Sequence, residues 1–141
     1  MSIELYIFLP DSSVPTVQDW QDAISAAAFP LVLDRDIDLP SHRGFLPAKY
    51  KGKDTGFEFY LDAASDIVGT YPQVAAKLGP RTECATFRWG SDLLEMCAAL
   101  SATASLAKLT NGLYFYPDDD IIYEADEALI ATRNDLKSVP L

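Results

Sequence analysis

Thr86-Phe87-Arg88-Trp89-Gly90-Ser91-Asp92, continued by Leu93-Leu94-Glu95-Met96-Cys97-Ala98-Ala99-Leu100-Ser101-Ala102-Thr103-Ala104-Ser105-Leu106-Ala107-Lys108-Leu109, decides the fold. It reads as a strand, a one-residue turn at Gly90 and a long helix from Ser91 to Lys108. A short side-chain oxygen at Ser91 or Asp92 can accept from the unpaired N–H groups of the first turn. Asp92 and Glu95 also place negative charge at the positive end of the helix dipole. From Leu93 to Ala107 the helix is apolar or small almost all round, so the rest of the chain must cover it. It is the expected central buried helix, with a nearly inaccessible middle.

Outward from this unit, the other elements follow from local rules. Ile3 to Leu9 is a strand with Ile3, Leu5, Ile7 and Leu9 on one face and Tyr6 and Phe8 on the other. With both faces apolar, it belongs inside a sheet. Thr16 to Asp19 resembles a capping box, with Asp19 in place of the usual Glu or Gln. The helix it opens, to about Ala28, carries Val17, Trp20, Ile24 and Ala27 on one stripe. Leu31 to Leu33 is a short strand. Lys49 to Leu61 forms a hairpin around Gly52 and Asp54, with Phe57, Phe59 and Leu61 inward and Glu58 and Tyr60 outward. Pro72 separates a turn at 66–69 from a helix at 72–78, which Gly79-Pro80 ends. Asn111-Gly112 closes the central helix. Leu113 to Tyr116 and Ile121 to Tyr123 form a hairpin with the acidic tip Pro117-Asp118-Asp119-Asp120, and a last helix runs from Ala125 to about Asp135. The prediction is a single α+β domain over residues 1–141: a mixed or antiparallel sheet of about five to six strands, with helices mainly on one face.

Composition narrows the function. The chain has 141 residues, 49% of them apolar, enough for one substantial core. Cys84 and Cys97 read as two small buried hydrophobes in a reducing compartment. The N-terminal residues lack a basic region and are broken by Pro10, so they do not read as a signal peptide. The central helix starts with acids and is rich in Ala, Ser and Thr, which argues against a membrane span. A cytoplasmic location is expected. Twenty-one acids against eleven basic residues give a net charge of −10. Phosphate neutralisation needs a basic surface, so nucleic acid is not an expected partner. A basic protein is the partner such a charge suits.

No catalytic constellation is readable. The sole histidine, His42, lies in a Ser-His-Arg loop without a nucleophile motif. The seven glycines form no phosphate loop. One His and two distant Cys do not make a zinc site. Asp34, Asp36 and Asp38 alternate as in a calcium loop, but Leu39 falls where a glycine is needed and Phe45 where a bidentate Glu belongs. No cofactor, metal or catalytic residue is therefore expected. Arg88, between two aromatics, reads either as an anion ligand or as a structural cation pairing with Asp92, Glu95 or Glu58 and stacking on an aromatic neighbour; the structural reading is favoured. The acids Asp118, Asp119, Asp120, Glu124, Asp126 and Glu127 fall within ten residues, beside Tyr114, Tyr116 and Tyr123. Carboxylates steer a basic partner and tyrosines supply rigid contact area, so Asp118 to Glu127, Tyr123 included, is the candidate partner surface.

Four segments together carry a resemblance: Gly44-Phe45-Leu46-Pro47, Thr55-Gly56-Phe57-Glu58, Phe87-Arg88-Trp89-Gly90-Ser91-Asp92 and the Ala-rich helix after it. With them, Ile3 to Tyr123 resembles small acidic bacterial immunity proteins, which accompany polymorphic or contact-dependent inhibition toxins and neutralise them in the cytoplasm. The resemblance implies a cognate toxin domain as partner, often a basic nuclease, and no enzymatic activity. The alternatives are a small metal-dependent hydrolase using clustered carboxylates, or an adaptor domain with another partner.

Overall fold

The computed structural model describes residues 2–140. Its seven strands are β1 (Ile3–Leu9), β2 (Leu31–Leu33), β3 (Arg43–Tyr50), β4 (Lys53–Ala63), β5 (Glu83–Trp89), β6 (Leu113–Tyr116) and β7 (Ile121–Tyr123). The helices are α1 (Val17–Ala26), α2 (Ser65–Val68), α3 (Pro72–Ala75), α4 (Leu93–Thr110) and α5 (Ala125–Lys137). One sheet runs in the order β2-β3-β4-β5-β1-β6-β7, and every neighbouring pair is antiparallel. The fold is α+β, as expected. The strand count is seven rather than five or six, because the three-residue runs at both edges, β2 and β7, each pair in full with a longer neighbour.

The strand β3 begins at Arg43, earlier than the hairpin reading placed it. Pro47 is tolerated inside it: its carbonyl accepts from Asp34 N at 3.0 Å, so its nitrogen also faces away from β4 and no β3–β4 bond is lost. Opposite Pro47 stands Gly56, where a Cβ would overlap the Leu46 carbonyl oxygen and the Phe45 ring. Phe45, 54% exposed, thus lies over a glycine across the strand pair. Gly56→Ala should destabilise by about 1–3 kcal/mol through overpacking against backbone, with the melting temperature as readout; a variant melting with the wild type would show that the two strands separate freely at this point.

The two faces of the sheet are covered differently. Leu5, Ile7, Phe57, Phe59, Ala85 and Phe87 point to the layer of α1, α4 and α5, where the main core lies. Tyr6, Phe8, Cys84, Leu113 and Phe115 point to the other side and pack with Ala64 and Val74 under α2 and α3. This confirms that β1 is buried on both faces. Cys84 and Cys97 are both buried and free.

The helix α4 is capped by Asp92, whose carboxylate accepts from Glu95 N at 3.1 Å, while Glu95 accepts from Gly90 N at 3.2 Å. Its Ala, Ser and Thr residues allow close approach of the sheet on one side and of α1 and α5 on the others. The buried hydroxyls bond within the helix: Ser101 to Cys97 O and Ser105 to Ser101 O, both at 2.8 Å. A buried hydroxyl needs such a partner, and the preceding turn supplies it. The Trp20 indole donates to Ala102 O at 3.0 Å and ties α1 to α4. Asn111 closes α4 in the left-handed region at φ 52°, and Gly112 N returns to Ala107 O. Among the described residues α4 alone is long and apolar enough to cross a membrane, yet 61% of it is buried inside the domain. One departure matters below. Met96 and Leu100 remain only partly covered, although the all-round apolar sequence called for a closed middle.

Candidate functional site

The acidic tip is built by a proline and a left-handed aspartate. Pro117 opens a single 3-10 turn, Pro117–Asp119, after β6. Asp120 then takes φ 52°, a conformation that Asp adopts more readily than bulkier residues, and its N–H closes the turn on Pro117 O at 3.1 Å. The chain returns as the edge strand β7, which places Tyr123 opposite Tyr114 and Ile121 opposite Tyr116. The Tyr114 and Tyr123 rings are 5.5 Å apart.

The six acids fall into two groups. Four have intramolecular roles. Glu124 caps α5 in a reciprocal box with Glu127 and pairs with Arg81 at 3.2 Å. Asp126 meets Lys108 of α4 at 2.6 Å. Asp120 accepts from Gln73 at 3.1 Å. Asp118 and Asp119 are exposed and have no hydrogen-bond or ionic partner among the described residues. These two are the acids of the surface predicted from Asp118 to Glu127 that have no intramolecular role; of the others, only Glu124 and Asp126 meet a cation.

Behind the tip lies a hollow of about 300 Å³ between α4, α5 and the β6–β7 hairpin. Met96 and Leu100 of α4 face it, which explains their partial exposure. Trp89, Tyr114, Tyr116, Ile121 and Tyr123 supply its other main walls, and Ala131 and Thr132 of α5 are too small to fill it. Asp119 and Asp135, both exposed, are its acidic lining, and among the described residues no Lys, Arg or His lines it. Trp89 is 4% exposed, and its indole N–H has no acceptor among the described residues. Burial pushes the Tyr114 phenol up, and burial with the nearby Asp118 and Asp119 pushes Tyr116 up, so both stay neutral and able to donate. Sequence reasoning missed Trp89 and Asp135 as members of this site. Trp89 reads simply as the end of an inward-facing strand, and Asp135 is distant in sequence from the tip.

Arg88 is structural in geometry, but its partner is not the one expected. It pairs with Glu4 at 3.1 Å and lies over the Tyr60 ring, 5.5 Å from the centroid. Strand alternation sends it to the sheet face opposite α4, out of reach of Asp92 and Glu95. The register places Glu4 directly across from it on β1 and Glu58 directly across on β4, and the Glu58 carboxylate is taken by the Tyr60 hydroxyl at 2.6 Å. His42 contacts Gly44 O at 3.1 Å. Asp34 and Asp38 accept from Asp36 N and the Ser41 hydroxyl within their own loop. Among the described residues, no three His, Cys, Asp or Glu side chains converge as a metal-binding group.

No protein-family model matches the chain, and searches of curated proteins and of solved structures likewise give no match.

Proposed function

We propose that this protein works in the cytoplasm as an immunity protein, binding and neutralising a basic toxin domain with the β6–β7 tip as part of the contact surface. The supporting observation is the pair of unpartnered carboxylates, Asp118 and Asp119, beside exposed edges of Tyr116 and Tyr123, in a chain of net charge −10. Such a surface draws in a cationic partner at rates approaching about 10⁸ M⁻¹s⁻¹ at low salt. Tyrosines at the centre of a contact hold it once formed. A carboxylate surface of this kind can occupy the phosphate groove of a nuclease.

The test uses a basic nuclease toxin domain, taken from the neighbouring gene if that gene encodes one. Converting Asp118, Asp119 and Asp120 together to asparagine keeps the shape, and the side-chain carbonyl then present at position 120 can still accept from Gln73. Association should slow, and its loss of rate between low and high salt should shrink, while dissociation changes less. The melting temperature of the free protein should hold or rise slightly, because exposed charges contribute only about 0–1 kcal/mol each. If the triple substitution leaves the association rate and its salt slope unchanged, the tip is not the docking surface, and Asp34, Asp36 and Asp38 become the next to substitute.

A further inference from the structure

The second face of the sheet is covered unevenly. The helices α2 and α3 lie over Tyr6, Phe8, Cys84, Leu113 and Phe115, at the β5-β1-β6 end. Across β2 and β3 the outward side chains stay open: Val32 is 51% and Phe45 54% exposed, and Pro47 is exposed as well. Val32 pairs with Lys49, which puts it diagonal to Pro47, and Phe45 follows two residues along the same face of β3. The Phe45 ring lies across Gly56 of β4, so the three side chains make one flat apolar strip. An apolar strip rimmed by polar residues marks a contact surface. The rim decides which partner it suits. The outward charged residues of β3, β4, β5 and β1 are Arg43, Lys49 and Arg88 with Asp54, Glu58, Asp62 and Glu4. Each of these cations is already held on the face: Arg43 by Asp62 at 2.8 Å, Lys49 by Asp54 at 3.7 Å and Arg88 by Glu4 at 3.1 Å. The face thus carries an excess of one acid, against ten for the whole chain. A cationic partner is drawn to the acidic tip instead. Two copies of so acidic a chain repel each other least where they meet through this face. Edge-to-edge pairing through β2 is closed, because Gln21 takes the outward Leu31 O and Leu33 N–H.

We propose that the open face of β2, β3 and β4 is the contact surface of a reversible homodimer, in which two sheets pack face to face with the Val32-Pro47-Phe45 strip of each copy against that of the other. Eight residues of β3 span about 27 Å, and the four strands β2 to β5 about 19 Å. That is about 500 Å² per copy, or about 1,000 Å² for the pair, the lower limit for a specific interface. A dimer of this size is transient, with a dissociation constant of about 10–100 µM. The acidic tip follows β6 at the opposite edge of the sheet, so the dimer leaves both tips free. The dimer does not depend on the toxin-binding reading and forms without any other protein.

Sedimentation equilibrium of the full chain, at concentrations from about 1 µM to about 1 mM, tests this across the affinity scale. The wild type should pass from monomer to dimer and stop there, since a two-fold contact closes on itself. Val32→Glu and Phe45→Glu each place an unpaired charge on the strip, and the symmetry places it twice. Each should weaken the dimer by about tenfold or more, since a buried like-charge pair opposes contact. A thermal melt accompanies both variants. Phe45 also covers Gly56, so if Phe45→Glu fails to fold, Val32→Glu, at a half-exposed edge position, decides alone. Raising salt from about 50 to about 500 mM should strengthen the dimer, because the charges on the face are internally paired and only the repulsion between whole chains is screened. The proposal is overturned if the chain stays monomeric to about 1 mM, as it would with this face solvated or kept for a different partner. It is equally overturned if Val32→Glu leaves the dimer as tight as before, or if salt weakens it, as for a contact made through the acidic tip.

Discussion

Phe87→Ala should lower the unfolding free energy by about 3–5 kcal/mol, the range for deleting a buried aromatic ring and leaving a cavity. Phe87 is fully buried at the centre of β5. Its ring lies 5.5 Å from Phe57, 5.4 Å from Phe59 and 5.8 Å from Trp20, the last two edge-on. Edge-to-face contacts of this kind add about 0.5–1.5 kcal/mol beyond area burial. The ring sits on the central strand β5, where its pairings with β4 and β1 meet the helix layer, so no flexible neighbour can collapse into the space. Chemical denaturation measures the effect, with an unchanged denaturant slope expected if the native state keeps its extent. A loss under about 1 kcal/mol, within the range of surface substitutions, would mean that the four rings are not one packed cluster.

Gln21→Leu should be nearly as severe despite replacing a polar side chain in a core with an apolar one. Gln21 is 4% exposed on the buried stripe of α1. Its amide donates to Leu31 O at 3.0 Å, and its carbonyl accepts from Leu33 N at 2.7 Å. It thus gives the outer edge of β2 the pair of bonds that a neighbouring strand would provide. Leucine leaves both backbone groups buried and unpaired, at a cost of about 1–3 kcal/mol for each. Amide exchange at Leu33 should rise more than at Leu31, since only the Leu33 N–H depends on Gln21. Equal stability of the variant would show that water reaches the β2 edge.

Both residues illustrate how the chain encodes its fold. The position of Gln21, one residue from Trp20 and three from Ile24, is on the apolar stripe, and a polar residue there is a readable irregularity. What it bonds to depends on where β2 comes to lie. Phe87 was legible as inward-facing from alternation alone, but the ring cluster needs the β4–β5 register. The acidic tip was legible as a turn because Pro117 and three aspartates act within four residues. Which carboxylates would remain unpartnered was not, because Arg81, Lys108 and Gln73 reach Glu124, Asp126 and Asp120 from 43, 18 and 47 residues away. Arg88 shows the same limit: its class of role followed from flanking aromatics, and its partner Glu4 lies 84 residues off in sequence.

By itself the sequence determined most of the elements, the apolar stripe of α1, the cap at Thr16 and one at Ser91 or Asp92, the burial of β1 on both faces and the central place of α4. These depend on steric preferences, side-chain periods and hydrogen bonds within a few residues, so neighbours in the chain suffice to set them. Only the tertiary structure decided the strand order, the pairing of the short edge strands, the partners of the charged residues and the hollow beside Trp89. The hollow exists because Ala131 and Thr132 of α5 arrive opposite Met96 and Leu100 of α4 while the β6–β7 hairpin closes the other side. A void is set by the distance between elements that pack from distant parts of the chain, and no local pattern in any one of them encodes that distance.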